Sequence, residues 1–495
     1  MEKNVLEWLE INSENENIVY KDEFKTISFK EVYELSRRIG SALKTVKDNS
    51  PIAIISSRNI STIYAYLGIV YSGHAYAPID GDLPRKRIEL IIEMLQPSAI
   101  VCDCVNFNLA KELSDNVYLI DDLVRYEIDE QFLVSVRKKM VMTDPLYIIF
   151  TSGSTGRPKG VITSHQSLMC YINSYIEVMD IDRTDVLGNQ SPLDYIAAIR
   201  DIYIPLNTGC STVIIPKELF MQPDRLFEYM NDKEVTAVGW SVSALSVPVS
   251  LGAFKDIELK HLKKICFSGS VMPIEVLRLW QDHLPNAVFV NQYGPTEATA
   301  SCTYYIVDHK VTQGEQLLIG TPYNNYKVFL LNEDLSETNV GEIGEICISG
   351  PILALGYYND KERTDSSFIL NPNVSSYSER MYRTGDFGRI NENGLLEFHG
   401  RMDRQIKHMG HRVELDEIEY AANTIEGLYE CVALYDKNKE VIHLFYSGDV
   451  DKRTIAIALR ESLPGFMIPR KIRKIDSIPK LANGKMDMNR LKEEL

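Results

Sequence analysis

Ten consecutive residues, Thr151-Ser152-Gly153-Ser154-Thr155-Gly156-Arg157-Pro158-Lys159-Gly160, follow the apolar run Leu146-Tyr147-Ile148-Ile149-Phe150. Glycine frees the backbone to present N–H groups, the hydroxyls add donors, and Lys159 adds positive charge, a set that suits a polyphosphate. A hydrophilic surface turn would share this composition, but so dense a run of donors directly after an apolar strand points to a ligand. The loop is not a Walker P-loop, because none of its glycines is followed by Lys and then Ser or Thr. A nucleotide site is therefore expected, and its commonest type is excluded. Transition-metal chemistry is not expected. The eight cysteines are scattered, with only Cys102 and Cys104 close together. No H-E-x-x-H occurs, and His408 and His411 have no cysteine at ligand spacing.

The surrounding pattern says what must hold this loop. Phe29, Val32, Leu35, Ile39 and Leu43 recur every three or four residues and predict a helix over 28–43. Further helical patterns cover 60–71 and 84–95. Short apolar runs at 51–55, 99–101, 146–150, 213–215, 237–238, 265–267 and 288–290 predict buried strands between the helical stretches. That alternation argues an α/β fold with largely parallel sheets covered on both faces. After about residue 320 the texture changes to short strands (328–331, 346–348, 395–398) separated by Gly and Asn-Gly turns, a small β-rich region. The last ninety or so residues mix a helix (415–425), a strand (442–446) and a helix (454–463), a compact α+β tail, with 400–403 as the hinge before it.

The chain has 495 residues and a formal charge of −16, which argues against binding nucleic-acid backbone through bulk charge. No apolar run approaches the ~20 residues of a membrane span. The charged start, Met1-Glu2-Lys3-Asn4, has no signal-peptide core. A cytoplasmic protein that binds neither membrane nor nucleic acid is expected.

Besides the loop, Gly73-His74-Ala75-Tyr76-Ala77-Pro78-Ile79-Asp80, Asn291-Gln292-Tyr293-Gly294-Pro295-Thr296-Glu297, Gly344–Gly350 and Tyr382-Arg383-Thr384-Gly385-Asp386 occur in order. Gly400–Lys407, Arg412–Glu419, Leu463–Pro469 and Asn483-Gly484-Lys485 complete the series. In these motifs the chain resembles, over nearly its whole length, the adenylate-forming superfamily of acyl-CoA synthetases, luciferases and peptide-synthetase adenylation domains. The later motifs are similar to amino-acid adenylation domains, and the layout is similar to D-alanine–carrier-protein ligases. The resemblance implies a large adenylation domain (1–402) of stacked, mostly parallel sheets with a β-rich subdomain. A small mobile α+β domain (403–495) would carry Lys485 and swing about Asp403. It implies ATP and Mg²⁺ as cofactors and a monomer as the working state.

The resemblance also distributes roles. Lys485 is the adenylation lysine, against the alternative of an ordinary surface lysine; Thr155, Lys407 and Glu297 join it as catalytic candidates. Glu297 would carry Mg²⁺, as suits a hard cation. Thr151, Ser152, Gly153, Ser154, Thr155, Gly156 and Lys159 would cradle phosphate. Tyr293 would stack on adenine, Asn291 would read its edge, and Gly269, Thr296 and Phe398 would complete the nucleotide contacts. Asp386 would accept both ribose hydroxyls with Arg401 in support, or Asp386 is a turn aspartate before Phe387-Gly388. Lys407 with His408–Arg412 is also readable as a solvated hinge surface.

The acid-binding positions depart from the family pattern. Ile196 stands where amino-acid adenylation domains place the aspartate that binds the α-ammonium, and Asp194 lies two residues earlier. Asp194 either still meets an ammonium, displaced as in a β-amino acid, or is a cap or turn residue and the acid has no free α-amino group. The remaining positions are Ala197, Arg200, Trp240, Cys266, Ser268, Gln292, Ala300 and Ser301, a small to medium polar set. Trp240 is equally an ordinary core residue. A buried Arg200 needs an anion, from the substrate or from Asp194 or Asp201. Only ten residues follow Lys485, so a separate phosphopantetheinylated carrier protein is expected as thiol acceptor, with coenzyme A as the alternative. The expected function is activation of a small polar acid, amino-acid-like, and its loading onto that carrier. A D-alanine ligase, a CoA ligase and a non-catalytic nucleotide-binding relative stand as alternatives.

Overall fold

The computed structural model describes residues 3–46, 50–153, 157–254, 257–401, 403–437, 439–480, 486, 488–493 and 495. The chain divides into two compact units, a large one of Met1–Gly81, Leu95–Ile149 and Gly160–Met402, and a small one of Asp82–Met94, Phe150–Lys159 and Asp403–Leu495.

The large unit is α/β. One sheet of nine strands has a parallel centre: Val186–Asn189 pairs with Ser211–Ile214 and Ala237–Ser241, followed by Lys264–Ser268 and Val288–Tyr293. Antiparallel strands flank this centre, with Thr303–Ile306 and then Thr321–Pro322 on one side and Thr26–Ser28 at the other edge. A second, seven-stranded sheet has Ile52–Ser56 between Tyr76–Asp80 and Ala99–Cys102, all parallel, with Pro145–Thr151 beside Tyr76–Asp80. Ile52–Ser56 is buried at every position, which explains its unbroken apolar run. A smaller antiparallel sheet follows, with Arg380–Ile390 between Ile343–Ser349, Phe368–Leu370 and Leu396–Arg401. This is the β-rich region expected after residue 320.

The helix Phe29–Ala42 begins where Ser28 accepts from the backbone of Glu31, whose carboxylate accepts from the Ser28 N–H at 2.8 Å. That reciprocal cap satisfies two otherwise orphaned donors. The helix packs closely on Ile60–Tyr71: a Cβ on Gly68 would lie 2.5 Å from the Cβ of Ile39, and one on Gly40 2.6 Å from that of Tyr71. Gly68→Val is therefore expected to destabilise the protein by ~3 kcal/mol through overpacking. A shift of the urea midpoint with unchanged slope checks this; a midpoint within error of the parent contradicts it.

In the small unit, the hairpin Gln405–His408/His411–Glu414 leads into the helix Leu415–Asn423, two residues shorter than expected. That helix and Lys452–Ser462 pack on the sheet of Leu428–Asp436, Val441–Gly448 and Lys471–Lys474. Its core gathers Val413, Ile418, Leu444, Ile455 and Met467.

Candidate active site

In the large unit, the strand Val288–Tyr293 is the organiser. Side chains alternate across a strand, so Asn291 and Tyr293 share one face while Gln292 points to the other. The Asn291 amide donates to the Leu318 carbonyl at 2.8 Å. The Tyr293 hydroxyl donates to Asp386 Oδ2 at 2.5 Å, and its ring lies 6.1 Å from that of Phe398. Asp386 and Arg401 stand opposite each other on paired strands, and Arg401 Nη1 donates to Asp386 Oδ1 at 2.6 Å. Asp386 is thus a buried acceptor with a partner on each oxygen, not a solvent-facing turn residue. Thr384 steadies it, since its hydroxyl accepts from the Asp386 N–H at 3.0 Å.

Past Tyr293 the chain makes the short turn Thr296–Ala298, in which Glu297 is fully buried and accepts from the Tyr357 hydroxyl at 2.8 Å. Thr299 and Ala300 then both adopt left-handed backbone, φ 47° and 74°. For residues other than glycine this costs ~1–3 kcal/mol each and persists where surroundings enforce it. Here the Thr299 hydroxyl donates to the Ile352 carbonyl at 2.7 Å, and the Cys302 N–H to the Tyr293 carbonyl at 2.8 Å. The reversal places Ser301 Oγ 3.3 Å from Gln292 Oε1. Gly269, after Lys264–Ser268, has φ +101°, a conformation that favours glycine.

Asp194 lies in the turn before the helix Ala198–Thr208 and accepts from the Asp80 N–H at 3.3 Å. It does not cap that helix, whose N-cap is Ala197. Withdrawal from water, reinforced by the Asp80 carboxylate, pushes the Asp194 carboxyl up to about 7. The unfolded chain ionises this group near ~3.9. Between those values the folded protein holds more protons, so stability falls as pH rises, and above about 7 the ionised carboxylate carries its full desolvation penalty. Asp194→Asn keeps an acceptor for Asp80 and removes that slope. The variant is expected to be more stable than the parent at pH 8 by on the order of 1 kcal/mol, the gap closing toward pH 4. Urea unfolding at the two pH values checks it, and equal gaps at both would contradict it.

Ile196 is buried, while Ala197, Ser268 and Ala300 keep some exposure. Cys266 is fully buried, and burial pushes its thiol up to about 11. Trp240 belongs to the core, with its indole N–H on the Gly188 carbonyl at 2.8 Å and its ring edge-on to Phe220.

The small unit carries its own part. Ser152 Oγ donates to the Arg412 carbonyl at 2.7 Å. The Gly153 N–H donates to Glu417 Oε2 at 3.2 Å, and the other oxygen of Glu417 pairs with buried Arg87. A loop N–H therefore already serves a carboxylate, the kind of acceptor a phosphate would supply. Thr151 Oγ1 is buried without a partner, and Lys159 is buried at the start of its strand. Burial raises the Glu414 carboxyl, opposed by Arg412 and Lys159. Lys407 stands opposite Arg412 in the hairpin, and the exposed Asp403 accepts from the Gln405 N–H at 3.2 Å. Ser154, Thr155, Gly156 and Lys485 lie outside the described residues. Thr384 and Tyr357 were not singled out in the sequence; Thr384 sits inside a quoted motif two residues before Asp386, which is a usable signal.

A family model described as AMP-binding enzyme matches residues 7–358. The D-alanine–D-alanyl carrier protein ligase of Bacillus cereus (strain G9842) is 31% identical over 490 residues, 95% of this chain and 94% of that relative. The Delta-poly-L-ornithine synthetase of Acinetobacter baumannii is 30% identical over 94% of this chain but 35% of its own length. Among solved structures, the Vibrio cholerae adenylation domain AlmE in complex with glycyl-adenosine-5'-phosphate has TM-score 0.84 at 21% identity, covering 100% of this chain and 98% of its own. The o-succinylbenzoate CoA synthetase of Bacillus subtilis has TM-score 0.85 at 18% identity, covering 99% and 98%. The chain belongs to the AMP-binding enzyme family, and it is an adenylate-forming ligase. Such a ligase takes its adenylyl group from ATP. No helix among the described residues is long and apolar enough to cross a membrane.

Proposed function

We propose that this ligase activates a small polar carboxylic acid, amino-acid-like, and passes it to the phosphopantetheine thiol of a separate carrier protein. A carboxylate oxygen attacks the α-phosphorus of ATP, the bond to the bridging oxygen breaks, and pyrophosphate leaves with the electron pair. The thiol sulfur then attacks the acyl carbon, the bond to AMP breaks, and the thiol proton passes to solvent. Little covalent work falls to the protein, so positioning and charge neutralisation carry the rate.

The observation that carries this reading is the convergence of Tyr293 and Arg401 on buried Asp386. A buried carboxylate so held is fixed in place, and its remaining lone pairs would accept from ribose hydroxyls, with the Tyr293 and Phe398 rings nearby for adenine. Buried Glu297 offers an oxygen donor of the type a magnesium ion takes alongside substrate phosphates, which fits the ion. The ion would neutralise charge on the phosphates. Lys485 would meet the charge that builds between carboxylate and α-phosphate. Asp194 is the available acid for an ammonium that Ile196 cannot bind. Activity as a monomer in the cytoplasm, with domains 1–402 and 403–495 turning about Asp403, belongs to the same reading.

The relatives named as D-alanyl carrier protein ligases favour D-alanine as a second reading of the acid. Intact mass of a phosphopantetheinylated carrier protein, incubated with ligase, ATP, Mg²⁺ and acid, tests the acceptor. A gain equal to the acid less water supports the reading. Acylation of coenzyme A with an unchanged carrier would replace it by a CoA ligase.

A further inference from the structure

Arg200, in the first turn of Ala198–Thr208, is 1% exposed. Taking a guanidinium out of water costs several kcal/mol unless an anion and hydrogen bonds compensate. The compensation inside the protein is incomplete. Nη2 donates to the Gly239 carbonyl at 2.6 Å, and the guanidinium lies over the Tyr175 ring at 5.5 Å. Among the described residues Nε makes no hydrogen bond, Nη1 reaches Gln292 Oε1 at 3.5 Å and Cys266 Sγ at 4.0 Å, and the buried Tyr171 hydroxyl lies within interaction range of the guanidinium.

No carboxylate among the described residues pairs with it. Asp201 accepts from the Asn189 amide at 2.7 Å, and Asn189 in turn is held by Arg58. Asp194 accepts from the Asp80 backbone. Among the described residues, then, neither carboxylate is in direct ion-pair contact with Arg200, and Asp201 acts on it only through space. Beside Arg200, Gln292 Nε2 is also buried without a partner, while Gln292 Oε1 takes the Ser301 hydroxyl. Two donors on touching side chains, Arg200 Nη1 and Gln292 Nε2, lack a good acceptor. Room for the guanidinium comes from Gly239: a Cβ there would lie 2.9 Å from Arg200 Cζ and 3.0 Å from Nε. A glycine inside a strand often marks such a close approach.

We propose that Arg200 and Gln292 bind a second carboxylate of the substrate, so that the acid activated is a dicarboxylic one. This rests on the ligase reading above. A carboxylate supplies the missing charge and accepts from both donors at once. A neutral side chain would leave the cation without a contacting anion, so the site rejects D-alanine and amide isosteres.

The test compares acid-dependent exchange of labelled pyrophosphate into ATP for aspartate, glutamate, succinate and glutarate (both enantiomers where chiral) against asparagine, glutamine and alanine. A dicarboxylate is expected to exceed its amide by ~100-fold in kcat/KM. Arg200→Gln should erase that ratio and Arg200→Lys should restore part of it, both with parental unfolding midpoints. Alanine or an amide matching the best dicarboxylate overturns the proposal, as does an unchanged ratio in Arg200→Gln. Calorimetry with the same dicarboxylates separates the two readings. Binding lost in Arg200→Gln, without exchange by any acid, keeps this inference and removes the ligase reading. Exchange with monocarboxylic acids and no dicarboxylate binding does the reverse, and absence of both removes both.

Discussion

Lys485→Ala is expected to lower acid-dependent adenylate formation by about 100- to 1000-fold. Carboxylate and α-phosphate are both anionic, and in the transition state their negative charge concentrates where they meet. A cation placed there acts on the transition state more than on the bound reactants, so its loss falls on kcat. The unfolding midpoint should not move. Thioester formation from acyl-adenylate made separately should survive, because no new charge builds on phosphorus in that step. Equal losses in both half-reactions would contradict the assigned role, and an unchanged rate would sink it.

Asp386→Ala is expected to be the next most damaging change. Asp386 takes the Tyr293 hydroxyl on one oxygen and Arg401 on the other. Removing the carboxylate leaves a largely buried guanidinium uncompensated, a change that costs ~3–5 kcal/mol. It also removes the acceptor proposed for ribose. We expect KM for ATP to rise by about 100-fold, with a lower unfolding midpoint. Asp386→Asn, which keeps one acceptor, should recover part of the stability and little of the ATP affinity. A variant destabilised but normal in KM for ATP would show Asp386 to be a strut alone.

The helices were legible because their signals are local. Ser28 and Glu31 cap the stripe that begins at Phe29, and the structure places that helix at Phe29–Ala42. Fully buried strands announced themselves as unbroken apolar runs. Leu428–Asp436 is absent from the expected strands although Cys431-Val432-Ala433-Leu434 is just such a buried run, its start obscured by the exposed Tyr429 and the half-buried Glu430. The grouping of 82–94 and 150–159 with the C-terminal residues was also out of reach. It rests on pairs such as Arg87 with Glu417 and Ser152 with Arg412, 330 and 260 residues apart. At the acid-binding positions the sequence supplied the right residue types and left their pairing open. Asp201 sits next to Arg200 in the chain yet turns to Asn189, an outcome of packing that no spacing rule reports. Gly239 carried a signal, a lone glycine before Trp240 in a strand, and its use became clear only with the Arg200 guanidinium against it.

The measurement that bears most directly on the account is exchange of labelled pyrophosphate into ATP, run over α-amino, β-amino, hydroxy, aryl and dicarboxylic acids. It reads adenylate formation alone and needs no acceptor. The account predicts exchange that depends on one class of small polar acid and disappears in Lys485→Ala. Absence of exchange with every acid, from folded protein that binds ATP, would contradict it and leave a nucleotide-binding protein without ligase chemistry.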